Sequence, residues 1–205
     1  MKHIVLLIVI LISTAFTFVE YDNDIYSFPE SEVIVKEKVV EDTAFVVWFK
    51  LVSKWEGGIG ERAKVEDPSG LTNHGITYYY WKTAAHKIVG KKPTREGLMS
   101  LTWGEAKFIA KSFWLTYELN KIEDPSIRLM VAEACWISGP ATGLRSLGYK
   151  NINHLNQDKN ITVEILYFTR LTWLQRLSNW EHNKYGWKKR LNDDLNMAKK
   201  LIQNK

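Results

Sequence analysis

Glu56 is the residue of this chain best placed for acid chemistry. Phe45, Phe49, Val52 and Glu56 are spaced by four, three and four, so they share one helical face. The run from Ala44 to Trp55 has no Gly or Pro, Asp42 precedes it and Thr43 can cap its start. Glu56 therefore ends an apolar stripe, and Gly57 and Gly58 are suited to a left-handed stop. The negative end of the helix dipole and an apolar setting both disfavour the charged form of a carboxylate. Those are the conditions a general acid needs near neutral pH. The plainer alternative is a Glu that frays into solvent beside Gly57.

Beyond Gly58 the chain reads Asp67-Pro68-Ser69-Gly70-Leu71-Thr72-Asn73-His74-Gly75-Ile76-Thr77. Glu-Gly-Gly followed by Asp-Pro-x-Gly-x-Thr-Asn-x-Gly-Ile-Thr resembles the signature of glycoside hydrolase family 108, the lysozyme-like N-acetylmuramidases of phage endolysins and bacteria. Trp114, Ser138-Gly139-Pro140 and Gly186-Trp187-x-x-Arg190 also sit where that family has similar groups. The resemblance runs from about Phe45 to about Leu195, and the two glycine-containing blocks together carry its specificity. The chain departs from the family at Ser69, where the second member of a Gly-Gly pair is usual. It departs again at Cys135 and Trp136, on a helix that in relatives commonly holds Asp or Asn.

The resemblance implies a mainly α, lysozyme-like α+β domain with a small β-region after the catalytic helix. It implies hydrolysis of the β-1,4 bond between N-acetylmuramic acid and N-acetylglucosamine in peptidoglycan, with Glu56 as the acid. It marks Asn73, Gly75 and Trp114 as substrate-side residues, although Asn73 equally suits a tie within its own loop. No cofactor or metal is expected, because no His, Cys and carboxylate set occurs at ligand spacing.

Such hydrolysis needs a second group to place water or to stabilise an oxocarbenium-like transition state. Glu61, Glu66 and Asp67 are the nearby carboxylates. The resemblance favours Asp67; an Asp before Pro with Gly following is also an ordinary turn former, and Glu66 reads as a solvated loop charge. Thr72 is a further candidate, since its hydroxyl both donates and accepts within a water network. The more distant T4-type phage lysozymes use a Glu, an Asp and a Thr in this chain order. His74 reads as a surface loop residue rather than a base.

The elements around these residues are mostly helical. Thr77 caps Tyr78 to Val89, Pro93-Thr94 opens a short helix through Met99, and Thr102 with Glu105 forms a capping box ahead of Trp103 to Leu119. Pro125 begins a helix through Ile137, closed by Gly139-Pro140. Thr142 to Leu147 is a short helical turn or loop. Thr162 caps a long segment from Val163 to about Glu181, and Trp187 to Ile202 forms the last helix. The resemblance gives about 145–205 as a peptidoglycan-binding subregion, with Tyr167, Trp173, Trp180 and Trp187 as stacking surfaces. At helical spacing Phe168, Leu171, Leu174 and Leu177 instead read as a stripe buried against the first helix.

The 205 residues suffice for one domain with a sizeable core. A net charge of +5 suits an anionic polymer, and the absence of a Lys/Arg cluster with interleaved stacking aromatics argues against nucleic acid. The single cysteine, Cys135, excludes an internal disulfide and reads as a small buried hydrophobe. Lys2 and His3 precede an apolar run from Ile4 to Val19. Residues 1–19 therefore read as a cleaved signal or a membrane anchor, 20–41 as an acidic linker and 42–205 as the muramidase domain. That places the domain on the cell-wall side, exported or membrane-anchored, with peptidoglycan glycan strands as its partner. A lytic transglycosylase and a non-catalytic wall-binding protein are the two rival readings.

Overall fold

The computed structural model describes residues 42–61 and 70–203. The leader, the linker, and the loop bearing Glu66 and Asp67 lie outside the described residues. The side chain of Glu61 does too.

The first helix, α1, spans Thr43–Glu56. Its cap is Asp42 rather than Thr43: Asp42 Oδ1 accepts the Ala44 backbone N–H at 3.0 Å. The other carboxylate oxygen receives Arg128 Nη1 at 2.5 Å, so the same side chain also anchors the start of the helix to the middle of the fold. Phe45, Phe49 and Val52 are buried as their spacing predicts. The stop differs in detail from expectation. Gly57 is not left-handed (φ −44°), and only Gly58 is, at φ +78°. Gly57 is needed for closeness instead, since a Cβ there would lie 2.7 Å from the Ser53 carbonyl oxygen.

A three-stranded antiparallel sheet follows, in the order β1 (Ile59–Glu61), β2 (Leu71–Asn73), β3 (Ile76–Thr77). Ile59 faces Asn73 across the first pair, and Thr72 faces Thr77 across the second. The turn between β2 and β3 holds His74 at φ +51° and Gly75 at φ +79°. Two positive φ angles in a two-residue loop are what a tight hairpin with native twist requires.

Helices complete the chain. Residues 78–88 form α2, in which Tyr78–Tyr80 and His86–Ile88 flank a π-helical turn at Trp81–Ala85. Then come α3 (Arg95–Met99), α4 (Trp103–Thr116), α5 (Pro125–Ser138), α6 (Pro140–Ser146), α7 (Ile152–Gln157), α8 (Val163–Leu174) and α9 (Trp180–Gln203). Thr77, Thr94 and Thr162 cap as expected, and the Thr102–Glu105 capping box is complete. The fold is thus mainly α, with one small β-element directly after the first helix.

The C-terminal boundary is corrected. α8 ends at Leu174, and α9 begins at Trp180 rather than Trp187. Successive short-range bonds from Arg176, Leu177 and Trp180 to carbonyls three residues back tighten the chain between the two helices. Gly186 lies inside α9 in open space.

The central helix is α5, which packs against α1, α6, α8 and α9. One hydrophobic cluster runs from Ala44 to Leu201. Its aromatic heart is Phe45, Trp48 and Phe49 of α1 against Phe113 and Trp114 of α4, with the Trp48 and Trp114 rings 5.3 Å apart. Each such ring contributes about 1.5–3 kcal/mol by leaving water. The stripe expected on α8 is only partly buried. Leu174 is in the core, but Phe168 is 62% exposed, and α8 packs on α5, α6 and α9 rather than on α1.

Candidate active site

Glu56 stands at the end of α1 with its side chain 22% exposed. Two structures enclose it, one built from backbone and one from buried charge. On the first side, the chain leaves Glu56 through Gly57 and Gly58 into β1, and the β2–β3 turn comes back over it. His74 N–H bonds the Gly58 carbonyl at 3.3 Å. A Cβ placed on Gly75 would lie 3.1 Å from Glu56 Cγ and 3.0 Å from Trp136 Nε1. The turn therefore rests directly on the stem of Glu56, and only glycine fits there.

Asn73 secures the turn from below. It is 2% exposed, and its side-chain amide donates to the carbonyls of Leu98, Met99 and Leu101 at 2.9, 3.3 and 3.3 Å. Of the two roles open to Asn73, the structure provides the loop tie, and a sugar contact is corrected by its burial: Nδ2 is used in the tie, and Oδ1 is buried without a hydrogen-bond partner. Thr72 is half-buried, on the face of β2 opposite Leu71 and Asn73. His74 is half-buried as well, and burial lowers its pKa against a backbone hydrogen bond at Leu101 that raises it.

On the second side, Arg190 of α9 donates from Nη1 to Glu56 Oε1 and from Nε to Glu133 Oε1. Glu133, on α5, is 2% exposed, and its other oxygen accepts Trp48 Nε1–H at 3.0 Å. Arg170 and Asp194 lie in the same buried layer, 4% and 2% exposed. Arg170 Nη2 donates to Ser138 Oγ at 2.6 Å, and its guanidinium lies 4.7 Å from the Trp173 ring centre.

The electrostatics follow from this crowding. Burial works against the charge on Arg190, but Glu133 and then Glu56 outweigh it, so its pKa is raised. Burial pulls Arg170 down to about 10, opposed in part by Cys135, Glu133 and Asp194. Burial and then the charge of Glu133 push the Asp194 carboxyl well above the usual range, against the pull of Arg190.

The rim beside Glu56 is basic and aromatic. Lys189 Nζ lies 4.4 Å and Lys54 Nζ 5.3 Å from the Trp55 ring centre, and Lys54 also pairs with Asp193 at 2.5 Å. Trp114, expected on the substrate side, is fully buried between Phe45 and Trp48. That is a correction, because its ring has no exposed face to offer a sugar. Cys135 is fully buried, and burial raises its thiol to about 12. Among the described residues no three His, Cys, Asp or Glu side chains are grouped to hold a metal ion.

Sequence reasoning singled out Glu56 and Gly75, which meet in the fold, and Thr72, which lies on β2. It quoted Arg190 without giving it a role, and it missed Glu133, Arg170 and Asp194. The signal for Glu133 was a single charge inside the apolar run from Leu129 to Ile137.

Residues 49–139 match the sequence model of the family described as Glycosyl hydrolase 108. The resemblance to that family holds. The matched segment contains Glu56, the hairpin and Glu133 but stops short of Arg190. Among solved structures, that of Brucella abortus SagA aligns with a TM-score of 0.63 at 21% identity, over 77% of this chain and 94% of that one. At that identity the likeness carries the fold, which is lysozyme-like. No curated protein matches the chain. The family match supports a glycoside hydrolase.

Proposed function

We propose that this protein is a peptidoglycan hydrolase that cleaves the β-1,4 bond between N-acetylmuramic acid and N-acetylglucosamine, with Glu56 as general acid. The observation that carries the reading is the setting of Glu56. It is a partly exposed carboxylate at the end of a buried helix, under a glycine turn, inside the segment that matches the glycosyl hydrolase family.

In this reading Glu56 protonates the leaving glycosidic oxygen, and Arg190 receives the carboxylate that remains. Asp67 and Thr72 are the groups proposed to place water or to stabilise positive charge on the sugar ring. Lys54, Lys189 and Trp55 give the rim a cationic, aromatic character suited to an anionic wall polymer. The apolar run from Ile4 to Val19 supports export or anchoring with the domain on the wall side.

The test is digestion of purified peptidoglycan by the full chain, wild type beside Glu56→Gln, with products resolved by mass spectrometry. Reducing muramic-acid ends from the wild type alone are expected, with the variant lower by about 10²–10⁴-fold. Anhydro-muramic ends would make the protein a lytic transglycosylase. Wall binding with no release by either protein would make it a binding module.

A further inference from the structure

We propose that Glu133 is a positioning residue that sets the geometry of Glu56 through Arg190. The inference rests on the acid role of Glu56 given above. Glu133 touches no solvent-exposed surface and cannot meet a glycan itself, being 2% exposed. Yet it is tied at both oxygens, to Trp48 on one side and to Arg190 on the other.

The ties close a ring. Trp48 and Glu56 lie on the same helix, eight residues and about 12 Å apart along its axis. From Trp48 the ring crosses to Glu133 on α5, then to Arg190 on α9, and returns to α1 at Glu56. Arg190 uses Nε and Nη1 of one planar group for the two carboxylates, with Nη2 buried and without a hydrogen-bond partner, so the orientation of one bond fixes the other. With Glu133 in place, the fork is held against Glu56 in a single pose. Without it, the guanidinium is free to turn about its own stem.

Arg190 is the cation shared by the two carboxylates. The other buried guanidinium of this layer, Arg170 of α8, is turned toward Ser138 and Trp173. Asp193 of α9 is taken by Lys54. Neither takes the place of Arg190 or of Glu133 in the ring.

The experiment measures kcat and KM on soluble glycan fragments for wild type, Glu133→Gln and Glu133→Asp. In Glu133→Gln kcat falls roughly 10- to 100-fold with KM unchanged. Glu133→Asp keeps a carboxylate for Arg190 and Trp48, so it recovers part of the lost kcat. A residue that only supports the fold would lower stability without separating kcat from KM. An active wild type with an unchanged kcat in Glu133→Gln overturns this inference alone. No release by the wild type overturns the acid reading, and this inference with it. Should Glu133→Gln not fold, Trp48→Phe removes one anchor and leaves the charge. A drop in kcat at constant KM then supports the ring, and an unchanged kcat overturns it.

Discussion

The two sides of Glu56 are built by different physics. The hairpin side is backbone. Gly58, His74 and Gly75 take left-handed conformations, and Asn73 ties the turn to the α3–α4 connection through main-chain carbonyls. Its parts lie within a few tens of residues of one another. The helix side is charge. Glu56, Arg190 and Glu133 come from three helices, and the bonds joining them span 134 and 57 residues of sequence. The hairpin side keeps its shape because few other conformations are open to it. The helix side keeps its shape because separating its charges would strand them in the core. The first kind of positioning tolerates changes of charge but not of volume, and the second tolerates the reverse.

Arg190→Met is the sharpest way to break that contrast. It nearly conserves volume but leaves Glu133 buried with only Trp48 as partner. Breaking a buried pair from one side costs about 3–5 kcal/mol, so the midpoint of chemical denaturation should fall by that equivalent. A loss below about 1 kcal/mol would mean that the buried charges are not what holds this side together. On the hairpin side the matching change is Gly75→Ala. It adds one methyl at φ +79°, 3.1 Å from Glu56 Cγ. Strain of about 1–3 kcal/mol is expected, together with displacement of Glu56. Gly58→Ala is the control, at φ +78° with nothing within 4 Å. It should share the strain and spare the activity. Equal activity losses in the two variants would show that strain, not contact with Glu56, is what matters.

The same division explains what could be read from sequence. Helix starts were legible because caps are local: Thr77, Thr94, Thr102 and Thr162 each bond a backbone N–H three residues on. The glycine turn over Glu56 was legible for the same reason. Asn73 and Trp114 misled because a polar or aromatic residue in a family motif reads as a ligand contact, whereas burial is a property of the packed fold. The break between α8 and α9 carries no Gly or Pro at 175–179, while Gly186 sits harmlessly within a helix. Glu133 was illegible because its partners lie on other helices. A lone charge in an apolar stretch states that it needs a partner without saying which. Asp67 lies outside the described residues, so its part in the site stands on the resemblance alone.

Asp194 gives the finest comparison, because it lies in the same layer as Glu133 but is not held the same way. Both of the Glu133 oxygens are bonded, whereas Asp194 Oδ1 has no partner. Burial and the neighbouring charge of Glu133 raise the Asp194 pKa in the folded protein above its ordinary value of 3.8. The folded state then binds more protons than the unfolded state above that value, so Asp194 makes stability fall as pH rises from there through its folded pKa. Asn cannot ionise, and Asp194→Asn removes that contribution. Melting temperatures from about pH 4 to about pH 8 should therefore fall less steeply in the variant than in the wild type. If the variant keeps the wild-type slope, the pull of Arg190 and Arg170 outweighs burial and the charge of Glu133, and the carboxyl of Asp194 is not raised in the fold.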